Sequence, residues 1–225
     1  HNSRRDGAPV PLMADDGSGT INLNGGCSGC GGDGLNAVWA NATGGDPLPA
    51  EFEGFLQQLV GKSGNRLGAL LRMVPATVDG YPNYGTVQDH ETFKPKRVAL
   101  TYIASNSGLI PAVDPTTGNE IFAYFPPQLL EKAYDLYKKG GQDEDPSNFV
   151  YLMANSPRVE DMVHRRGEWR TQLVQTMGPG GDDFVVLDIS APYSCDGDAC
   201  ALADPPIAVL ATTSAAGSPV GTGAA

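Results

Sequence analysis

Residues Arg97–Tyr124 read RVALTYIASNSGLIPAVDPTTGNEIFAY, and the fold is decided in this stretch. Short apolar runs rich in Val, Ile, Tyr and Phe are cut by Ser105-Asn-Ser-Gly108 and by Asp114-Pro-Thr-Thr-Gly118. Runs of that length between turn-forming residues read as antiparallel strands. Asn106 and Gly108 can supply the positive φ of a tight turn. Asp114 can accept hydrogen bonds from backbone groups two or three residues on, Pro115 pre-sets φ, and Gly118 closes that turn. Strand, turn, strand, turn, strand is the meander of one propeller blade.

The pattern recurs in Arg170-TQLVQTMGPGGDDFVVLDISAP-Pro192, an arginine, an apolar run, a Gly-rich break, then an apolar run ending at Asp188. The copies begin at Arg97 and Arg170, farther apart than the roughly 40–50 residues of a blade, so an insertion is expected between them. Pro126-PQLLEKAYDLYKK-Lys139 supplies it: Leu129, Leu130, Ala133, Leu136 and Tyr137 share a helical face, Pro127 suits the first turn, and Gly140-Gly141 stop the helix. A first helix is predicted near 49–61, where Phe52, Phe55, Leu56, Leu59 and Val60 keep helical spacing, with Asp46 as N-cap and Gly61 or Gly64 as stop. The run Leu67–Val78 reads as a strand demoted to an edge by Pro75, and Phe149–Ala154 as another strand. The expected fold is therefore mainly β: a partial or chain-completed β-propeller over 48–192, with helices near 49–61 and 127–139. Residues 1–47 read as an irregular arm. Residues 193–225 read as a Cys-containing loop and a low-complexity tail, with one strand allowed within 201–213.

Composition bounds the function. Charged residues are 18 %, and 29 Gly with 18 Pro favour turn-rich β structure over helix bundles. A net charge of −11 disfavours nucleic acid and anionic membranes as partners. No apolar run approaches the roughly 18 residues of a membrane-spanning helix. A chain that starts at His1 without an initiator Met is expected to be a portion of something longer. Cys27 and Cys30 are spaced C-x2-C, Cys195 and Cys200 C-x4-C. Local disulfides in an exported protein are the expected use of all four, with the pairing left open. A four-thiolate zinc site would need the two distant pairs to meet. A redox C-x-x-C would need a helix start, which Gly-Gly-Cys-Ser-Gly-Cys-Gly-Gly does not offer.

Other chemistry is weaker. Asp15, Asp16, Asp33 and Asp46 lack calcium-loop spacing. Asn41-Ala-Thr43 fits a glycosylation sequon. His1 could chelate copper with His90 or His164, but nothing else in the chain supports that chemistry. No G-x-S-x-G marks a hydrolase nucleophile, and Gly178-Pro-Gly-Gly181 lacks the Lys-Ser/Thr of a phosphate loop. The Asp114–Gly118 turn also occurs in quinoprotein propellers, yet only Trp39 and Trp169 could floor a quinone. Trp169 is expected to pack between blades. Arg165-Arg166 reads as a solvated hairpin tip.

In order along the chain, Leu67-Gly-Ala-Leu-Leu-Arg-Met-Val-Pro75, Tyr102-IASNSGLIPAVDPTTGNEIFAYFPPQLL-Leu130, Asn155-SPRVEDM-Met162, Gly167-Glu-Trp169 and Gly180-Gly-Asp-Asp-Phe-Val-Val-Leu-Asp188 resemble the PilY family, tip-associated proteins of bacterial type IV pili. The collinear stretch covers roughly 47–192. The family's Gly-Ala-Asn-Asp-Gly stands here as Ala104-Ser-Asn-Ser-Gly108, and its His-Ala-Phe-Asp as Pro111-Ala-Val-Asp114. The aspartate that follows Leu-Gly is Ala69. The resemblance implies part of a C-terminal β-propeller, non-catalytic, exported to the cell surface or pilus tip, and acting in adhesion or pilus assembly. It implies pilin subunits or minor pilins, or the remainder of the same polypeptide, as partners, with the receptor unspecified. The calcium loop of some members has no counterpart, so no cofactor is expected. On this reading Gly108, Asp114, Gly118, Trp169 and Asp188 are structural residues of blade turns. The alternatives are a repeated subunit of an extracellular filament and a quinoprotein-like enzyme.

Overall fold

A computed structural model describes residues 14–15, 21–22, 39–40, 43–60, 74–77, 99–141, 146–163, 169–196, 199–202, 207–213 and 219–221. In chain order the strands are β1 (Ala14–Asp15), β2 (Ile21–Asn22), β3 (Ala76–Thr77), β4 (Thr101–Tyr102), β5 (Ile110–Val113), β6 (Glu120–Tyr124), β7 (Arg158–Val163), β8 (Trp169–Thr176), β9 (Phe184–Asp188), β10 (Tyr193–Asp196), β11 (Ala199–Leu202), β12 (Ala208–Thr213) and β13 (Pro219–Gly221). Among the described residues, the α-helices include α1 (Phe52–Val60) and α2 (Leu130–Lys138). The protein is mainly β, as the turn-punctuated apolar runs required.

The first sheet is four-stranded in the order β3-β4-β5-β6, and every pair is antiparallel. Pro75 immediately precedes β3, which is an edge strand, where the missing N–H is not needed. Pro111 sits inside β5, yet its carbonyl still serves the ladder by accepting from the Ile103 N–H at 3.1 Å. The second sheet has the order β13-β12-β9-β8-β7. In both sheets consecutive strands are spatial neighbours, except that the β10–β11 ribbon is inserted between β9 and β12. The first strands of the two sheets, β3 and β7, lie next to each other. Just before those strands, the Val74 N–H donates to Ser156 Oγ at 2.8 Å.

One continuous core joins the sheets to the helices. It contains Leu100, Tyr102 and Ile110 from the first meander, Leu173, Val185 and Leu187 from the second, and Leu152 and Met153 from the segment between them. The helices close over an aromatic cluster. Trp39 meets Phe52 edge-on at 5.0 Å and Tyr134 at 5.3 Å, and Phe55 contacts Tyr134 at 5.7 Å. Edge-to-face pairs of this kind add about 0.5–1.5 kcal/mol each beyond the area they bury. Trp39 is thus a buried core residue of the helical layer. Gly54 lets the helices approach, since a Cβ there would stand 2.6 Å from the Tyr137 hydroxyl.

Several expectations are corrected. Helix α1 begins at Phe52, so Asp46 does not cap it; the Phe52 N–H bonds the Pro49 carbonyl at 3.1 Å instead. Pro127–Leu129 is a 3-10 turn leading into α2, and Gly140 and Gly141 end that helix at φ 86° and 106°, with their N–H groups on the Tyr137 and Leu136 carbonyls. Phe149–Ala154 is not a strand. Its polar backbone groups are met by a side chain and a turn rather than by a ladder, as described below. The irregular arm holds a two-stranded ribbon, β1 paired with β2. The strand allowed within 201–213 is present as β12, which pairs with β9, while β13, paired with β12, and the β10–β11 ribbon go beyond the loop and tail expected after 192. The physical reason is that β9 would otherwise present an open edge. The strand predicted over Leu67–Val78 survives as β3; residues 67–73 and 78 lie outside the described residues.

Candidate functional site: two turns gripping one segment

The Ser105–Gly108 turn joins β4 to β5. The Gly108 N–H bonds the Ser105 carbonyl at 3.0 Å, and the Ser105 N–H bonds the Leu109 carbonyl at 3.1 Å. Gly108 adopts φ 87°, and a Cβ there would come 2.7 Å from the Phe125 ring, so two independent constraints demand glycine. Asn106 acts through its side chain. Its Oδ1 accepts from the Leu152 N–H at 2.9 Å, and its Nδ2 donates to the Val150 carbonyl at 3.2 Å. Asn106 is buried, so its bond from the Leu152 N–H forms away from competing water, while that to the Val150 carbonyl is partly buried.

The turn between β8 and β9 grips the same segment. The Ala154 N–H bonds the Met177 carbonyl at 3.3 Å, and the Met177 N–H bonds the Asp183 carbonyl at 3.0 Å. Gly178 has φ 59° and a Cβ there would stand 3.1 Å from the Ala154 carbonyl oxygen; at Gly180 a Cβ would fall 2.0 Å from the Leu152 carbonyl oxygen. No side chain fits at Gly180. Lys132 of α2 donates from Nζ to the Gly180 carbonyl at 2.6 Å. Desolvation lowers the Lys132 pKa below the usual lysine value, and the Asp183 carboxylate partly opposes that shift. Residues 150–154 are therefore held from one side by the first sheet and from the other by the second.

The Asp-ended turns do what their composition predicts. Asp114 Oδ1 accepts from the Thr116 N–H at 2.7 Å, and Oδ2 accepts from the Thr117 hydroxyl at 2.9 Å. The Thr116 amide and the Thr117 hydroxyl hold the Asp114 pKa below the ordinary aspartate value. Gly118 completes the turn at φ 74°. In the second meander Asp188 Oδ1 accepts from the Ser190 N–H at 3.0 Å, and Oδ2 lies 3.3 Å from Arg170 Nη1. The network continues inward: the Thr171 N–H donates to Ser190 Oγ at 3.0 Å, and the Thr171 hydroxyl donates to Asp161 Oδ1 at 2.8 Å. Thr171 and Asp161 are buried. Trp169 opens β8 half-buried, opposite Val163.

The five blade-turn residues do not converge on one cleft. Gly108 belongs to the gripping turns, Asp114 and Gly118 to an exposed turn, and Asp188 to the network across the second sheet. Asn106 and Gly180 are the residues that sequence reading undervalued. The only available signal was the crowding of small residues at both turns. Among the described residues, no three of His, Cys, Asp or Glu come together as metal ligands. Among them too, no helix is long and apolar enough to cross a membrane. Cys27, Cys30, His1, His90, His164, the Asn41 sequon position and Arg165-Arg166 lie outside the described residues.

No protein-family model matches the chain. The type IV pilus biogenesis factor PilY1 homologue of Xylella fastidiosa is 34% identical over 100 residues, 43% of this chain and 7% of that protein. PilY1 of Pseudomonas aeruginosa PAO1 is 30% identical over 139 residues, 56% of this chain and 11% of the relative. PilY1 of strain UCBPP-PA14 is 33% identical over 107 residues, 46% of this chain and 9% of the relative. The matched stretch is thus a small part of these much longer proteins. Among solved structures, the crystal structure of the Pseudomonas aeruginosa PilY1 C-terminal domain aligns with a TM-score of 0.40 and 26% identity, covering 62% of this chain and 25% of that one. Over about half its length, this chain is PilY-like in sequence.

Proposed function

We propose that this chain contributes two neighbouring β-propeller blades to a non-catalytic protein of the type IV pilus tip, acting in pilus assembly and adhesion. The observation that carries the reading is the adjacency of β3 and β7, the first strands of two antiparallel meanders that share one core. That is how inner strands of successive blades meet around a propeller axis. The pilus assignment rests on the sequence similarity to proteins named as type IV pilus biogenesis factors. On this reading 48–213 is one unit, and Gly108, Asp114, Gly118, Trp169 and Asp188 have structural roles. The partners are pilins, minor pilins or further blades of the same polypeptide, outside the cell, and no cofactor is required.

The test is an in-frame deletion of the codons for 97–192 in the native host, with the truncated product verified by immunoblot. Loss of surface pili in electron micrographs and sheared fractions is expected. Normal piliation with the truncated product present would overturn the proposal. Native mass spectrometry of the pilus fraction then counts copies: one or a few fit a tip protein, whereas one per pilin-scale repeat would make it a filament subunit. A quinone absorption band in the purified protein would favour the enzymatic alternative.

A further inference from the structure

We propose that Cys195 and Cys200 are joined by a disulfide that staples the β10–β11 ribbon. The backbone register pairs Tyr193 with Leu202, Ser194 with Ala201, Cys195 with Cys200 and Asp196 with Ala199. The cysteines therefore occupy directly opposed positions on one face of an antiparallel ribbon. In the sequence only Gly197 and Asp198 separate the strands, so the ribbon closes on the Asp196–Ala199 pair. A two-residue connection closes on a hydrogen-bonded pair. Pair types alternate along an antiparallel ladder, which makes Cys195–Cys200 a non-hydrogen-bonded pair with Cα atoms about 4.5 Å apart. A disulfide needs Cα atoms at about 4.4–6.8 Å, so the register alone brings the two positions within range.

The ribbon also has a physical need for a covalent tie. β10 and β11 form a sheet of their own, inserted between β9 and β12, and neither packs extensively against another described element. An isolated two-stranded hairpin is marginal in water. Closing it at Cys195–Cys200 removes unfolded alternatives from the excursion between two strands that must lie side by side.

The chemistry balances by thiol–disulfide exchange with a small-molecule or protein disulfide as oxidant. The Cys195 thiolate attacks that disulfide and expels one of its thiols. The Cys200 thiolate then attacks the mixed disulfide and expels the other. The two cysteines lose two protons and two electrons, and the oxidant is reduced to two thiols.

The full chain, purified from an oxidising preparation, is alkylated without reduction and digested with a protease that cleaves before Asp. Cuts before Asp188, Asp196, Asp198 and Asp204 separate the two cysteines into different peptides. The expected product is the peptide 188–195 linked to 198–203, which separate on reduction. Alkylated Cys195 and Cys200, or either one linked to Cys27 or Cys30, would overturn the proposal, as would stoichiometric zinc with all four cysteines unlinked. As a second readout, reduction or the C195S/C200S double variant should speed proteolysis within 193–202 on the order of tenfold, while cleavage of the two sheets is unchanged. Equal cleavage rates with and without reductant would contradict the stapling role.

Discussion

The side-chain oxygen of Asn106 accepts the Leu152 N–H at 2.9 Å across 46 residues of chain, and so joins a turn of the first sheet to the segment that leads into the second. Asn106→Ala should leave the buried Leu152 N–H and the Val150 carbonyl without this partner. An orphaned buried donor costs about 1–3 kcal/mol. Denaturant melts should show the midpoint falling with the slope unchanged. Asn106→Leu should be no better, because neither variant restores an acceptor.

Gly180 faces the same segment from the other side. Gly180→Ala would put a Cβ 2.0 Å from the Leu152 carbonyl oxygen, part of a backbone held on both sides. A loss on the order of 2–4 kcal/mol is expected, among the large values for single substitutions. Gly118→Ala is the control: φ is 74° but the space is open, so only left-handed backbone strain of about 1–2 kcal/mol applies. Thermal melts should rank the parent above Gly118→Ala, and Gly118→Ala above Gly180→Ala.

Much of this was legible beforehand. Asp114-Pro-Thr-Thr-Gly118 dictated its own turn, because every bond it uses lies within six residues. Gly140-Gly141 likewise announced the end of α2. Asn106 was legible only as a turn residue, since its partners are 44 and 46 positions away and no local pattern encodes them. Phe149–Ala154 looked like a strand because Phe, Val and Tyr carry strand propensity, yet its backbone bonds go to Asn106 and Met177. The strand allowed within 201–213 is β12, but β13 was hidden in the low-complexity tail because its Pro-Val-Gly run carries little strand signal, and pairing with β12 supplies what propensity lacks.

The Asp114 carboxyl provides a pH prediction. Its folded pKa is lowered, so its contribution to stability is fully present above the unfolded aspartate pKa and is lost as pH falls through the folded value. The stability difference between the parent and Asp114→Ala should therefore shrink on acidification below about pH 4. A carboxyl-carbon NMR titration should place the Asp114 midpoint below that of an unstructured aspartate. A midpoint at or above it would remove the proposed effect.

Thr171→Val keeps the shape of the side chain but removes the hydroxyl that donates to buried Asp161. The loss of a donor to a buried carboxylate should cost about 1.5–3 kcal/mol. Thr171→Ser should recover most of the loss, which separates the hydrogen bond from packing.

The central claim is that the two meanders are neighbours locked together through residues 150–154. Native-state hydrogen exchange at the Leu152 amide tests it most directly. In the parent chain this amide should be protected to the same degree as the central amides of β5 and β8, with both sheets opening in one transition, and in Asn106→Ala its protection should collapse first. Rapid exchange at Leu152 in the parent, or separate opening of the two sheets, would contradict the account.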